Sequence, residues 1–125
     1  KTINYKILLA VDDSPGTKKA VKYGVRVAQA FGIKVQIITV NENNNSNKAN
    51  KKSSENASKM MRRCGVEAET KFEIGKPVDK IIELAGEDHI IIMGASTQSP
   101  IAKFFIGSKP LNVMQNSNCP ILIVK

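Results

Sequence analysis

Tryptophan is absent from this 125-residue chain, histidine occurs once and cysteine twice. Each scarcity removes a class of function. His89 has no second candidate metal ligand near it in sequence, so it is read as structural, and no metal site is expected. Ser96, Ser99 and Ser108 have no plausible histidine base, and no G-x-S-x-G turn is present, so a nucleophilic hydrolase is excluded. Cys64 and Cys119 have neither C-x-x-C nor metal-site spacing, and they read as free structural thiols of a reducing, cytoplasmic compartment. Apolar runs are only a few residues long, too short for a transmembrane helix, and no signal-peptide pattern is read. One domain spanning 1–125 is expected at this length.

The charge balance is lopsided, with a formal net charge of +8. Such a balance raises the question of nucleic-acid binding. Its distribution argues against that partner. Lys48, Lys51, Lys52, Lys59, Arg62 and Arg63 face only Glu55 within one run. Aromatics make up 5% of the chain and none interleaves this run, so stacking on bases has little support. The run reads as a solvated loop and helix face.

What the chain does have is alternation. Lys6-Ile-Leu-Leu-Ala-Val11 is an apolar strand ending at Asp12-Asp13-Ser14-Pro15. Ser14 before Pro15 predicts a capped helix start. Ala20, Val21, Gly24, Val27, Ala28 and Phe31 follow at helical spacing, and Gly32 stops the helix. Val35–Val40 predicts a second strand, and the polar stretch 41–54 a mobile loop. A short helix over about 55–63, an edge strand over 66–74 and a helix marked by Val78, Ile81, Ile82 and Ala85 come next. His89–Met93 reads as a buried strand, Ser108–Asn116 as a helix and Ile121–Val124 as a last strand. Strands alternating with helices predict an α/β fold, an open parallel sheet with helices on both faces. Ligands of such sheets bind beyond the carboxyl ends of the strands. Val11 and Asp12 would therefore meet Met93 and Gly94 across one crevice.

The segment from Gly94 to Ser108 carries the chemistry. A strand, a loop bounded by Gly94 and Gly107 and a Ser-headed helix form a device for holding phosphate, using backbone N–H groups and the helix N-terminus. Asp12, at the tip of the first strand, can accept a hydrogen bond from a ribose hydroxyl or a base amino group. Asp13 is read as part of the turn.

On these residues the chain resembles the universal stress protein family over essentially its whole length. The resemblance rests on KILLAVDDS, the following amphipathic helix, VQIITV and the C-terminal third. Nucleotide-binding members of the family carry Gly, two residues, Gly, nine residues, then Gly and Ser or Thr. Gly94, Thr97, Gly107 and Ser108 occupy that frame here. The resemblance implies a five-stranded sheet of order 3-2-1-4-5, of the adenine nucleotide alpha hydrolase-like type. It implies a homodimer through the last strand, Ile121–Val124. It also implies ATP or AMP, with or without Mg, at the loop in a regulatory stress-response role, and at most an incidental ATPase. Carried over, Ala10, Val11 and Asp12 would lie by the ribose or adenine and Val40 by the base. Met93 and Gly94 would lie under the nucleotide, and Thr97, Gly107, Ser108 and Lys109 near the phosphates. Two departures stand out: Thr97 replaces a glycine, and Pro110 removes an N–H from the helix's first turn. They motivate an alternative, a nucleotide-free dimeric interaction protein of the same fold.

A receiver domain is the other doubly wound fold with an acidic pair after its first strand. It needs a phospho-acceptor aspartate near the end of its third strand. The aspartates are Asp12, Asp13, Asp79 and Asp88, and none lies between residues 14 and 78. A Walker A loop is excluded as well, because Gly107-Ser108-Lys109 inverts the required Gly-Lys-Ser order.

Overall fold

The central strands, β1 (Lys6–Ala10) and a second running His89–Gly94, are almost wholly aliphatic because helices cover both of their faces. The computed structural model describes residues 4–43, 48–95 and 108–125, and every statement below concerns these. In chain order the elements are β1, α1 (Thr17–Phe31), β2 (Val35–Asn41), α2 (Lys48–Arg63), β3 (Ala68–Ile74), α3 (Pro77–Leu84), β4 (His89–Gly94), α4 (Ser108–Asn116) and β5 (Ile121–Val124). All pairings are parallel, as the alternation of strands and helices predicts, and the order is β3-β2-β1-β4-β5, as the family resemblance implies.

Period-two alternation divides the strand residues between two cores. Ile7, Leu9, Val35, Ile37 and Ile92 pack with Ala20, Val21, Val25 and Ala28 of α1 and with Ala57 and Met61 of α2. Leu8, Ile38, Ile91 and Met93 face the other way, onto Ile81 of α3 and Val113 of α4. The register sets Leu9 beside both Ile37 and Ile92, which brings the carboxyl ends of the three inner strands level. Gly32 ends α1 in the left-handed region at φ 64, with its N–H donating to the Ala28 carbonyl.

Two expectations are corrected. Ser14 does not cap α1: the helix begins at Thr17, its N-cap Gly16 makes no side-chain bond, and the Ser14 carbonyl accepts the Thr17 N–H at 3.2 Å. The stretch read as loop up to Ser54 is helical from Lys48 onward. The buried face of α2 is Asn50, Ser54, Ala57 and Met61. Those positions have helical spacing, but three of the four are small or polar, so hydropathy gives no stripe to follow. The basic residues of α2 all point outward, as expected of a solvated face.

Smaller shifts are at strand ends. β1 stops at Ala10, β2 runs on to Asn41 and β3 starts at Ala68. Cys64 and Cys119 are free, and burial pushes the Cys119 thiol above its ordinary value, which suits an inert side chain.

Candidate functional site

The carboxyl ends of β1, β2 and β4 open into a cavity of about 320 Å³. Its floor is apolar, made by Ala10, Ile38, Val40, Ile81 and Met93. Around the floor stand Val11, Asp12, Asp13, Ser14 and Thr17 after β1, and Asn41, Glu42, Asn43 and Asn50 beside β2. Pro77, Gly94 and Lys109 complete the described wall. Apolar surface at the bottom of a concave hollow, with polar groups converging on it from the walls, is a form that suits a small-molecule site.

The turn after β1 is built around one carboxylate oxygen. Asp12 Oδ1 accepts the Ser14 N–H at 2.9 Å, the Thr17 hydroxyl at 2.8 Å, and the Ser14 hydroxyl. Thr17 Oγ1 in turn accepts the Asp12 N–H at 3.2 Å. Burial raises the Asp12 pKa, but these bonds and the Lys109 charge outweigh it, and the net value lies below the ordinary aspartate range. Asp12 is therefore ionised at neutral pH, with its rotamer fixed. Oδ1 carries all three bonds, so Oδ2 is the oxygen with capacity for a ligand's donor.

Gly94 answers a packing demand. A Cβ built on it would lie 3.0 Å from both the carbonyl carbon and oxygen of Gly16, and 3.2 Å from Gly16 Cα. The loop into α1 thus rests directly on the end of β4, and this contact holds Asp12 beside Met93 and Gly94.

Of the residues proposed from the sequence, Ala10, Val11, Asp12, Val40, Met93, Gly94 and Lys109 line this one cavity. Ser108 is exposed at the head of α4 and is not among the lining residues. Thr97 and Gly107 lie outside the described residues. Pro110 is fully buried, so its presence in the first turn of α4 has a packing reason. Sequence reasoning missed the β2 side of the site. Asn50 donates from Nδ2 to Asn41 Oδ1 at 3.1 Å, and this pair forms a wall only because α2 begins seven residues earlier than expected, at Lys48 rather than Glu55. Asp13, read as a turn residue, also lines the cavity.

No helix among the described residues is long and apolar enough to cross a membrane. No group of three or more His, Cys, Asp or Glu side chains that could hold a metal ion occurs among them.

Comparison with known proteins agrees with this architecture. Universal stress protein MJ0531 of Methanocaldococcus jannaschii is 24% identical over 138 residues, covering 96% of this chain and 81% of that protein. Universal stress protein YxiE of Bacillus subtilis is 28% identical over 145 residues, covering 96% and 98%. Among solved structures, a universal stress protein of Archaeoglobus fulgidus superposes with TM-score 0.83 at 24% identity, covering 98% of this chain and 100% of that one. One from Archaeoglobus fulgidus in complex with dAMP gives 0.74 at 22% identity, covering 99% and 100%. A family protein of Arabidopsis thaliana with AMP bound gives 0.66 at 13% identity, covering 97% and 91%. The universal stress protein family model matches residues 4–125, nearly every position that the sheet, its helices and the cavity occupy. With its 3-2-1-4-5 sheet and a hollow at the strand tips, this chain belongs to the universal stress protein family.

Proposed function

We propose that the chain is a stress-response module that binds an adenine nucleotide, ATP or AMP, in the cavity at the ends of β1, β2 and β4. The observation that carries the reading is the pairing of an apolar floor with a fixed, ionised Asp12 at its edge. A purine needs flat apolar surface, and its ribose hydroxyls or amino group need an acceptor. Ile38, Val40 and Met93 offer the first and Asp12 the second. Lys109 stands on the same wall and is the described cation available to a phosphate. The related proteins solved with dAMP and AMP support the reading. Magnesium would accompany a triphosphate, shielding it from Asp13 and Glu42.

The role is regulatory, and the reading assigns no catalytic step. The lining holds no histidine or cysteine among the described residues, and the reading uses Asp12 as a fixed acceptor for the ligand. A homodimer through the open edge of β5 belongs to the same reading: Leu122 there is 38% exposed. The protein would work in the cytoplasm.

Calorimetry with AMP, and with ATP in the presence and absence of magnesium, tests this. Saturable binding that Asp12→Ala weakens at least tenfold is expected, given the usual cost of losing a charged hydrogen bond. No heat at millimolar nucleotide, with none released from the purified protein on denaturation, contradicts it and favours the nucleotide-free alternative.

A further inference from the structure

The outer strand β3 is a second open edge, and its sequence is complementary to itself. We infer that β3 pairs antiparallel with β3 of a second copy of this chain, about a twofold axis through Phe72. This inference does not depend on the nucleotide reading.

The hydrogen-bond pattern fixes which groups are on offer. The Val35 N–H donates to the Glu67 carbonyl and the Gly75 N–H to the Asn41 carbonyl. In a parallel ladder these two bonds turn the backbone groups of Glu69, Lys71 and Glu73 toward β2. The N–H and C=O of Thr70, Phe72 and Ile74 then point outward along the free edge. Phe72 is 52% exposed and Ile74 53% exposed, which is unusual for large apolar side chains on an edge strand.

The side chains choose the register. Glu69, Lys71 and Glu73 share one face of the strand, and Thr70, Phe72 and Ile74 the other. A twofold axis at Lys71 would oppose Lys71 to its copy and Glu69 to Glu73, all unfavourable. An axis at Thr70 pairs Lys71 with Glu69 but sets Glu67 against Glu73. An axis at Glu73 opposes that carboxylate to its own copy. With the axis at Phe72, Lys71 lies opposite Glu73 twice, Phe72 meets Phe72, Thr70 meets Ile74, and Glu69 faces Gly75. No like charges are opposed. The Lys71–Glu73 pairs fall at the non-hydrogen-bonded positions, where opposite side chains are closest. The outward groups of Thr70, Phe72 and Ile74 find partners in the same register. The positive charge of the two α2 faces opposes association, so pairing strengthens as salt rises from low ionic strength.

Charge exchange tests the register. In sedimentation velocity, Lys71→Glu and Glu73→Lys should each weaken self-association roughly tenfold. An equimolar mixture of the two variants should restore it, because each then opposes the other with opposite charges. Oxidation supplies the second measurement, in a chain carrying Cys64→Ser and Cys119→Ser. Phe72→Cys should form a disulfide-linked dimer, since opposed Cα atoms of a hydrogen-bonded pair lie about 5.5 Å apart. Lys71→Cys should not. A mixture that associates no better than its components overturns the inference. So does a thiol at position 72 that links no faster than one at position 71, or that links only to a foreign chain.

Discussion

Gly94 and Gly16, 78 positions apart, touch backbone to backbone: a methyl group on Gly94 would lie 3.0 Å from the Gly16 carbonyl carbon and oxygen. The glycine at the end of β4 is thus explained by the turn that passes over it. That turn carries Asp12, so the fit between the two glycines sets the shape of the cleft.

Gly94→Ala forces this contact apart. The expected cost is about 1–3 kcal/mol of stability, the range for overpacking a tight contact. Chemical denaturation of the variant against the parent chain measures it. An unchanged midpoint would mean that the turn yields freely and that the contact does not shape the site.

Thr17→Val removes the hydroxyl that accepts the Asp12 N–H and donates to Asp12 Oδ1. A loss of about 1–2 kcal/mol is expected for a polar group left with fewer partners. The Asp12 pKa should rise at the same time, because one of the bonds holding it down is gone. Carboxyl chemical shifts followed through an acid titration report that change, and a pKa that stays put would contradict the assigned network.

Much of this site was legible because its parts lie at strand tips. Once Lys6–Val11 and His89–Met93 are read as neighbouring parallel strands, Asp12 and Gly94 must meet. The charge-free strand interiors and Gly32 set those boundaries plainly. The role of Ser14 was not legible. Its hydroxyl chooses between capping a helix and bonding Asp12, and Ser-Pro looks alike in either case. Nor was the Asn41–Asn50 wall, since α2 is held by Asn50, Ser54 and Ala57, whose small size, not their hydropathy, lets the helix approach β2.

Ser54→Ala tests that account of α2. Ser54 is 1% exposed, and its hydroxyl has no hydrogen-bond partner among the described residues. Alanine removes the buried polar atom and is a better helix former, so a gain of about 0.5–1 kcal/mol is expected. Thermal unfolding measures it, and a destabilised variant would show that the hydroxyl is satisfied in solution.

His89 makes stability depend on acid. Its Nδ1 accepts the Gly86 N–H at 2.8 Å and its Nε2 donates to Gln36 Oε1 at 2.8 Å, an arrangement that requires the neutral ring. Burial lowers its pKa, with Lys6 and Lys71 adding to the effect and Asp88 opposing it. A folded value below the unfolded one, about 6.5, means that the unfolded chain takes up the proton first. Stability is therefore complete above that pH and falls as pH drops through it toward the folded value. Denaturation midpoints should decline over this window in the parent chain. They should stay flat there in His89→Gln, until the carboxylates titrate. Parallel curves for the two chains would refute the assignment.

The central claim is that the hollow where β1, β2 and β4 end is the place an adenine nucleotide occupies. Amide chemical shifts recorded while AMP is added test it most directly. The account predicts saturable shifts confined to Val11, Asp12, Val40, Asn41, Met93, Gly94 and Lys109, with Tyr5 and Phe31 at the opposite end of the sheet unmoved. Shifts centred on Tyr5 and Phe31, or no shifts at saturating AMP, would contradict it.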